Sequence, residues 1–72
     1  MSKADEMFKE LGYKKQNNPG IEVRYIKDEN NIIRFWKPNF SICKQDEDGR
    51  EMGISMQELQ AINEKVKELG WE

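Results

Sequence analysis

The spacing of apolar residues changes twice along this chain of 72 residues. Near both ends apolar residues recur every three or four positions, which is the period of one helix face. Over residues 21–42 apolar and polar residues alternate instead, which is the period of a strand with one buried face. Because only a few residues join the alternating segments, neighbouring strands must be antiparallel. The sequence therefore predicts a single α+β domain over residues 1–72, in the order α-β-β-β-(β)-α.

The first predicted helix lies between Ser2 and Gly12. Ser2 is a favourable N-cap residue, and Gly12 supplies a left-handed residue that ends the helix. Tyr13 follows at the position that folds back on Phe8 in such an ending. One apolar stripe faces the core, formed by Ala4, Met7, Phe8 and Leu11.

The second predicted helix begins at a capping box, in which Ser55 and Glu58 each cap the other's backbone N–H. It ends at Gly70, after which Trp71 is placed to pack on Val66. Its predicted apolar stripe consists of Leu59, Ile62, Val66 and Leu69.

The middle of the chain predicts an antiparallel meander of three to four strands. Residues 14–20 are expected to form a loop, because Pro19 and Gly20 follow two asparagines. Three strands follow, separated by turns at residues 28–31 and 37–39. A short fourth strand at Met52 and Ile54 is left open.

The alternation also predicts how the strands pair. Four apolar residues share the inner face if the first hairpin has a loop of odd length: Val23, Tyr25, Ile33 and Phe35. Residues 28–30 fit that requirement, with Asn30 in the left-handed conformation. A second loop over residues 36–39 then pairs Phe35 with Phe40.

With both helices packed on this face, the predicted core is Met7, Phe8, Leu11, Val23, Tyr25, Ile33, Phe35, Ile42, Leu59, Ile62, Val66 and Leu69.

The opposite side of the sheet, which we call the outer face, is expected to carry a candidate interaction surface. In the predicted register Ile26, Ile32 and Cys43 form one cross-strand row on this face. A contiguous apolar patch that includes a tryptophan and neighbouring arginines is typical of protein interfaces. Two simpler interpretations stay open: these are ordinary strand residues, or a helix or residues 14–20 cover them. The candidate surface comprises Arg24, Ile26, Ile32, Arg34, Trp36 and Cys43.

The charge distribution raises two further hypotheses. Residues 13–44 hold seven basic and three acidic side chains, whereas residues 45–72 hold three basic and eight acidic ones. A basic sheet with an exposed aromatic ring is typical of surfaces that stack single-stranded nucleic acid, although a pI near 5.2 opposes strong phosphate binding. An acidic C-terminal half could instead occupy the basic site of a host protein. We expect a protein-binding module that binds a partner protein or self-associates, with weak single-strand binding as the alternative.

Residues suited to catalysis are scarce. The chain has no histidine and one cysteine, so Cys43 lacks a neighbouring base and cannot form an internal disulfide. The acidic segment 46–49 fails as a calcium loop, because Lys44 and Ser55 would occupy its first and last ligand positions. A chain this short also leaves little room for an enclosed pocket of about 300 Å³ or more. We therefore expect no enzyme, no cofactor, no metal site and no small-molecule substrate.

The two ends of the chain suggest where such a protein occurs. Residues 4–13 at one end, and residues 55–62 and 68–71 at the other, resemble a group of small proteins from phages, prophages and mobile elements of low-GC Gram-positive bacteria. The resemblance implies a phage or prophage origin and carries no known activity or binding residue. Since no apolar run reaches even ten residues, we expect neither a membrane-spanning helix nor a signal peptide. The expected location is the cytoplasm of a bacterial host.

Overall fold

A computed structural model describes residues 2–71 of the chain. Four strands form one antiparallel sheet in the order β1-β2-β3-β4, and the two helices pack against its inner face. The predicted α+β meander with terminal helices is therefore confirmed. The elements are α1 Lys3–Glu10, β1 Lys14–Asn18, β2 Glu22–Asp28, β3 Asn31–Trp36, β4 Ser41–Gln45 and α2 Met56–Leu69.

Both helices begin and end where their capping residues predict. The Ser2 hydroxyl caps α1, and Ser55 and Glu58 form the reciprocal capping box of α2. Gly12 follows α1 with a φ of +93°, and Gly70 ends α2 with a φ of +73°. Both glycines take a conformation that an L side chain adopts only with strain.

Besides the three predicted strands the sheet contains a fourth one, which is β1 and lies at the N-terminal edge of the sheet. Lys14–Asn18, predicted as a loop, pairs antiparallel along its whole length with residues 22–26 of β2. The Pro-Gly pair that favoured a loop makes the tight turn of this hairpin instead, with Gly20 at a φ of +77°. The strand escaped prediction because its side chains are nearly all exposed, so no apolar alternation marks it.

Residues 52–54, where a fourth strand was left open, do not form one. An isolated bridge joins Gln45 to Glu51, and the Met52 N–H donates to the Lys44 carbonyl at 2.9 Å. The segment therefore touches the edge of β4 near its end without extending the sheet.

The β2–β3 register is confirmed, although the turn differs from the predicted one. Val23 lies opposite Phe35, as expected. A β-bulge between Ile26 and Asp28 supplies the odd residue that the register needs. The turn is consequently shorter than predicted, and Asn30 does not take the left-handed conformation.

The β3–β4 register is displaced by two residues from the predicted one. Phe35 lies opposite Ile42 rather than Phe40, because β3 continues through Trp36 before the chain turns. Phe40 belongs to the turn, with a φ of +55°, and its ring centroid lies 5.4 Å from that of Trp71. A shift of two residues keeps each side chain on its predicted face.

The core lies between the helices and the inner face of the sheet. The Phe8 ring stacks on the Tyr25 ring, with centroids 3.9 Å apart and planes 15° apart. Several predicted core residues are partly buried against this cluster, namely Met7, Leu11, Ile42, Val66 and Leu69. The fully buried cluster comprises Phe8, Tyr13, Val23, Tyr25, Ile33, Phe35, Ala61 and Ile62.

The prediction that Leu59 belongs to the core is wrong. Its exposed fraction is 40%, because α2 turns Glu58, Ala61 and Lys65 toward the rest of the fold instead. Both charged side chains are buried because each finds ionic partners there. The helix therefore faces inward with a mixed polar and apolar stripe, not with the purely apolar one.

Candidate binding surface on the outer sheet face

The sheet register places all the predicted surface residues on the outer face. Each cross-strand row takes one residue from every strand, and the cross-strand partners share a face. Both helices pack on the other side, so neither covers this face. The rows are Lys14, Ile26, Ile32 and Gln45; Gln16, Arg24, Arg34 and Cys43; and Asn18, Glu22, Trp36 and Ser41.

One detail of the predicted surface is corrected. Cys43 lies opposite Arg34, and Gln45 takes the place beside Ile32 that Cys43 was expected to hold. The cause is the displacement of β4 by two residues. Cys43 is exposed, and its Sγ lies 3.8 Å from the side-chain oxygen of Gln45.

At the centre of the outer face, two arginines converge on one carboxylate. Glu22 Oε1 accepts hydrogen bonds from Arg24 Nε at 3.0 Å and from Arg34 Nε at 2.8 Å. Glu22 is only 7% exposed, and although burial raises the pKa of its carboxyl, the two arginines lower that pKa below its ordinary value. Within residues 2–71 each arginine donates a hydrogen bond through Nε alone, so the Nη groups remain for a ligand.

Sequence reasoning missed the role of Glu22 in holding the two arginines. Arg24 lies two residues along the same strand, and Arg34 lies directly across from Arg24. Opposite charges at such positions attract across a sheet. The predicted β2–β3 register already contained this signal.

Apolar side chains lie on both sides of the arginine pair. Ile26 and Ile32 face each other across the strands and are half-buried. Trp36, also half-buried, lies in the row beyond the arginines. The Arg34 guanidinium carbon is 5.5 Å from the centroid of the Trp36 ring, which is a cation–π distance. The face thus offers two apolar contacts separated by a cationic centre.

The charge and size of the outer face restrict what it can bind. Lys14, Arg24 and Arg34 outnumber Glu22, which gives the face a net charge of +2 in a chain of net charge −2. Four strands about 4.8 Å apart, with about six residues each at about 3.4 Å, span on the order of 400 Å². A standard interface buries about 800 Å² on each partner. Two copies packed face to face would therefore bury less area than a standard interface and would oppose like charges.

Two other features, a metal-binding cluster and a membrane-spanning helix, are absent from the described residues. No group of three or more His, Cys, Asp or Glu side chains within residues 2–71 is arranged to hold a metal ion. In that same part of the chain, both helices are too short or too polar to cross a bilayer.

Comparison with known proteins adds no family to this description. No family model matches the chain, and neither a curated protein nor a solved structure matches it. The phage or prophage origin suggested by the terminal segments therefore stays a prediction. The outer face is the feature of this chain from which a function can be inferred.

Proposed function

We propose that this protein is a small, non-enzymatic binding module whose outer face docks an extended acidic segment of a partner protein. The observation that carries the proposal is the convergence of Arg24 and Arg34 on Glu22, with apolar side chains on either side. The Glu22 carboxylate holds both guanidinium groups in place before a ligand arrives. Such preorganisation reduces the entropy that binding would otherwise cost.

The chemistry of the face matches an extended peptide. A guanidinium group binds a carboxylate with paired hydrogen bonds, and the free Nη atoms of Arg24 and Arg34 can donate them. In an extended chain alternate side chains point to the same side. An acidic side chain over the arginines would therefore leave its second neighbours within reach of Ile26 or Trp36.

The small area of the face predicts a transient complex. Interfaces below about 1,200 Å² in total are typical of weak and short-lived encounters. We expect a Kd on the order of 10–100 μM for a segment of this kind, and an affinity that falls as salt rises.

Fluorescence of Trp36 provides the test, in a Trp71→Phe background that removes the second tryptophan. The probe, called the glutamate–leucine peptide, has about eight residues, with a central glutamate and a leucine two positions before and after it, so that these three side chains lie on one side of an extended chain. We expect a saturable change in Trp36 emission, and no such change with a peptide that has lysine in place of glutamate. An equal response to both peptides, or no saturable response at about 1 mM, would contradict the proposal.

Two matched variants assign the binding to the arginines. In the same background, R24Q/R34Q, once circular dichroism shows that it is folded, should weaken peptide binding at least about tenfold, because each charge-assisted pair is worth more than 1 kcal/mol. The control K3Q/K67Q removes the same charge from exposed positions on the helices and should leave the affinity unchanged. If both double variants weakened binding equally, the binding would depend on the net charge of the protein and not on Arg24 and Arg34.

Weak binding of single-stranded nucleic acid is the second candidate. It is supported by the position of Arg34 over Trp36, since an aromatic ring and a guanidinium group can together hold a base and a phosphate. It ranks second because Trp36 is the one aromatic ring that strands β1 to β4 place on this face, and the Ile26 row provides no stacking surface. An oligothymidine of about eight nucleotides that binds more tightly than the acidic peptide, with a steep salt dependence, would favour it.

The setting of the proposed module is the cytoplasm of a bacterium that carries a phage or prophage. The resemblance of residues 4–13 and 55–62 supports this setting. The partner would then be a protein of the host or of the phage.

A further inference from the structure

The cluster of Arg24, Arg34 and Glu22 also indicates which acidic group the partner segment carries. Both arginines bond the same atom: Glu22 Oε1 accepts from Arg24 Nε at 3.0 Å and from Arg34 Nε at 2.8 Å. Because both bonds end on one oxygen, the two Nε atoms lie at most about 6 Å apart. Two guanidinium groups are therefore held side by side, close enough to contact one ligand group together.

The cations of this cluster are more accessible than its carboxylate. The Glu22 side chain is 9% exposed, whereas the Arg24 and Arg34 side chains are 34% and 24% exposed. The Arg34 guanidinium group also lies over the Trp36 ring, which restricts its movement. A ligand that approaches the sheet therefore meets two oriented cations, and the negative charge that holds them is screened by the same two groups.

The donors of the two guanidinium groups exceed what one carboxylate can accept in paired hydrogen bonds. With Nε engaged by Glu22, each arginine keeps both of its Nη groups as donors. A carboxylate has two oxygens and one negative charge, which suffice for one fork-shaped pair. A phosphomonoester has three oxygens and a charge of about −1.5 to −2 at pH 7. It can therefore pair with one guanidinium group and still accept from the other.

The charge of the whole outer face likewise corresponds to a dianion. The three cross-strand rows of this face hold four charged side chains, Lys14, Arg24, Arg34 and Glu22. Their net charge of +2 is balanced by one phosphoryl group but only half balanced by one carboxylate. The apolar side chains on either side of the arginines stay available to the rest of the segment.

We infer that the partner segment carries a phosphorylated side chain, which docks over Arg24 and Arg34. The inference rests on the proposed function, because it uses the same face and the same kind of extended segment. The phosphoryl oxygens accept from Nη groups of both arginines, and the second neighbours of the phosphorylated residue contact Ile26 or Trp36. The phosphorylated form of the partner consequently binds more tightly than the unphosphorylated form.

The experiment compares three peptides in the Trp71→Phe background, with Trp36 emission as the readout. They carry glutamate, phosphoserine or serine at the central position of the glutamate–leucine peptide. At pH 7.5 we expect the phosphoserine peptide to bind at least about fivefold more tightly than the glutamate one, because it adds charge and charge-assisted hydrogen bonds. The serine peptide should bind most weakly. Inorganic phosphate alone should bind less tightly than the phosphoserine peptide, because it makes no apolar contacts.

The pH dependence distinguishes the phosphoryl group from a carboxylate. The second pKa of a phosphomonoester is about 6, whereas the pKa of a glutamate side chain is about 4.3. Between pH 7.5 and 5.5 the phosphoserine peptide should therefore lose most of its advantage, while the affinity of the glutamate peptide stays within about twofold. Glu22 stays ionised over this range, because the two arginines outweigh burial and lower the pKa of its carboxyl.

Two variants test the geometry of the guanidinium groups. R24K/R34K keeps both charges but replaces the forked donors with ammonium groups. Once circular dichroism shows that this variant is folded, its preference for phosphoserine over glutamate should be at least about threefold smaller. The control R50K makes the same kind of exchange at an exposed position outside the strands and should leave the preference unchanged.

Three outcomes, all measured on the protein with both arginines in place, would overturn the inference. They are phosphoserine binding no tighter than glutamate binding at pH 7.5, a preference that is unchanged at pH 5.5, and inorganic phosphate that binds as tightly as the phosphoserine peptide. If the glutamate peptide binds and phosphoserine adds nothing, the proposed function stands and this inference alone fails. If none of the three peptides gives a saturable response, both fail.

Discussion

Lys44 on β4 donates two hydrogen bonds from its ammonium group to the Glu58 carboxylate on α2, at 2.8 and 3.0 Å. Both residues are buried, each with an exposed fraction of 7%. The Tyr13 hydroxyl donates to the same carboxylate, as does the Ser55 N–H at the helix cap. This cluster joins the last helix to the last strand and to the start of the first strand.

Replacing Lys44 should therefore destabilise the fold. We expect Lys44→Met to lower the free energy of unfolding by about 2–3 kcal/mol, because it leaves the buried Glu58 charge without its cation. The exposed Lys67→Met is the control and should cost less than about 0.5 kcal/mol. Urea unfolding measures both variants, and equal costs would contradict the account.

Acid should weaken the protein in a defined range of pH. Burial raises the pKa of Glu58, but hydrogen bonds from Lys44, Ser55 and Tyr13 outweigh it and lower the pKa from 4.5 to about 2. Asp5 behaves alike: burial raises its pKa, and its partners, Tyr25 first among them, lower it to about 2. Because both folded-state pKa values are depressed, this stability is complete above about pH 5 and is lost as the pH falls toward 2.

Urea unfolding at several pH values tests this effect. Glu58 alone should account for about 3 kcal/mol between pH 6 and 2, a large share of the 3–5 kcal/mol that so small a core supplies. In the Lys44→Met variant the decline should be shallower. A free energy of unfolding that stays constant from pH 6 to 3 would disprove these ionic contributions.

Two adjacent residues of β3 should differ sharply in their effect on stability. Phe35 is fully buried on the inner face, whereas Trp36 is half-buried on the outer one. Phe35→Ala should cost about 3–4 kcal/mol and leave little folded protein, whereas Trp36→Ala should cost about 1 kcal/mol. Circular dichroism with thermal melting distinguishes the two. A larger loss from Trp36→Ala would mean that the assignment of the two faces is wrong.

The single cysteine reports on access to the outer face. Cys43 is exposed beside Arg34, so a maleimide reagent should label it fully in the folded protein. A bulky adduct there should weaken binding of the glutamate–leucine peptide at least about tenfold by steric exclusion. Labelling that requires denaturant would contradict the exposed position of this thiol.

Features set by local chemistry could be predicted from the sequence. The two helices follow from their capping residues, and the face of each outer residue follows from the period of two along a strand. The displacement of β4 did not disturb that assignment, because Cys43 moved by two positions and stayed on the same face.

Features that depend on distant partners could not be predicted. Lys14–Asn18 has the composition of a loop and becomes a strand only because β2 offers an edge to pair with. The burial of Glu58 and Lys65 in place of Leu59 depends on partners from other elements.

The most direct test of the central proposal is a map of backbone amide shifts during titration with the glutamate–leucine peptide. The account predicts that saturable shifts concentrate on Arg24, Ile32, Arg34 and Trp36, with α2 almost unchanged. Shifts that concentrate on α2, or none that saturate, would show that the outer face is not the binding surface.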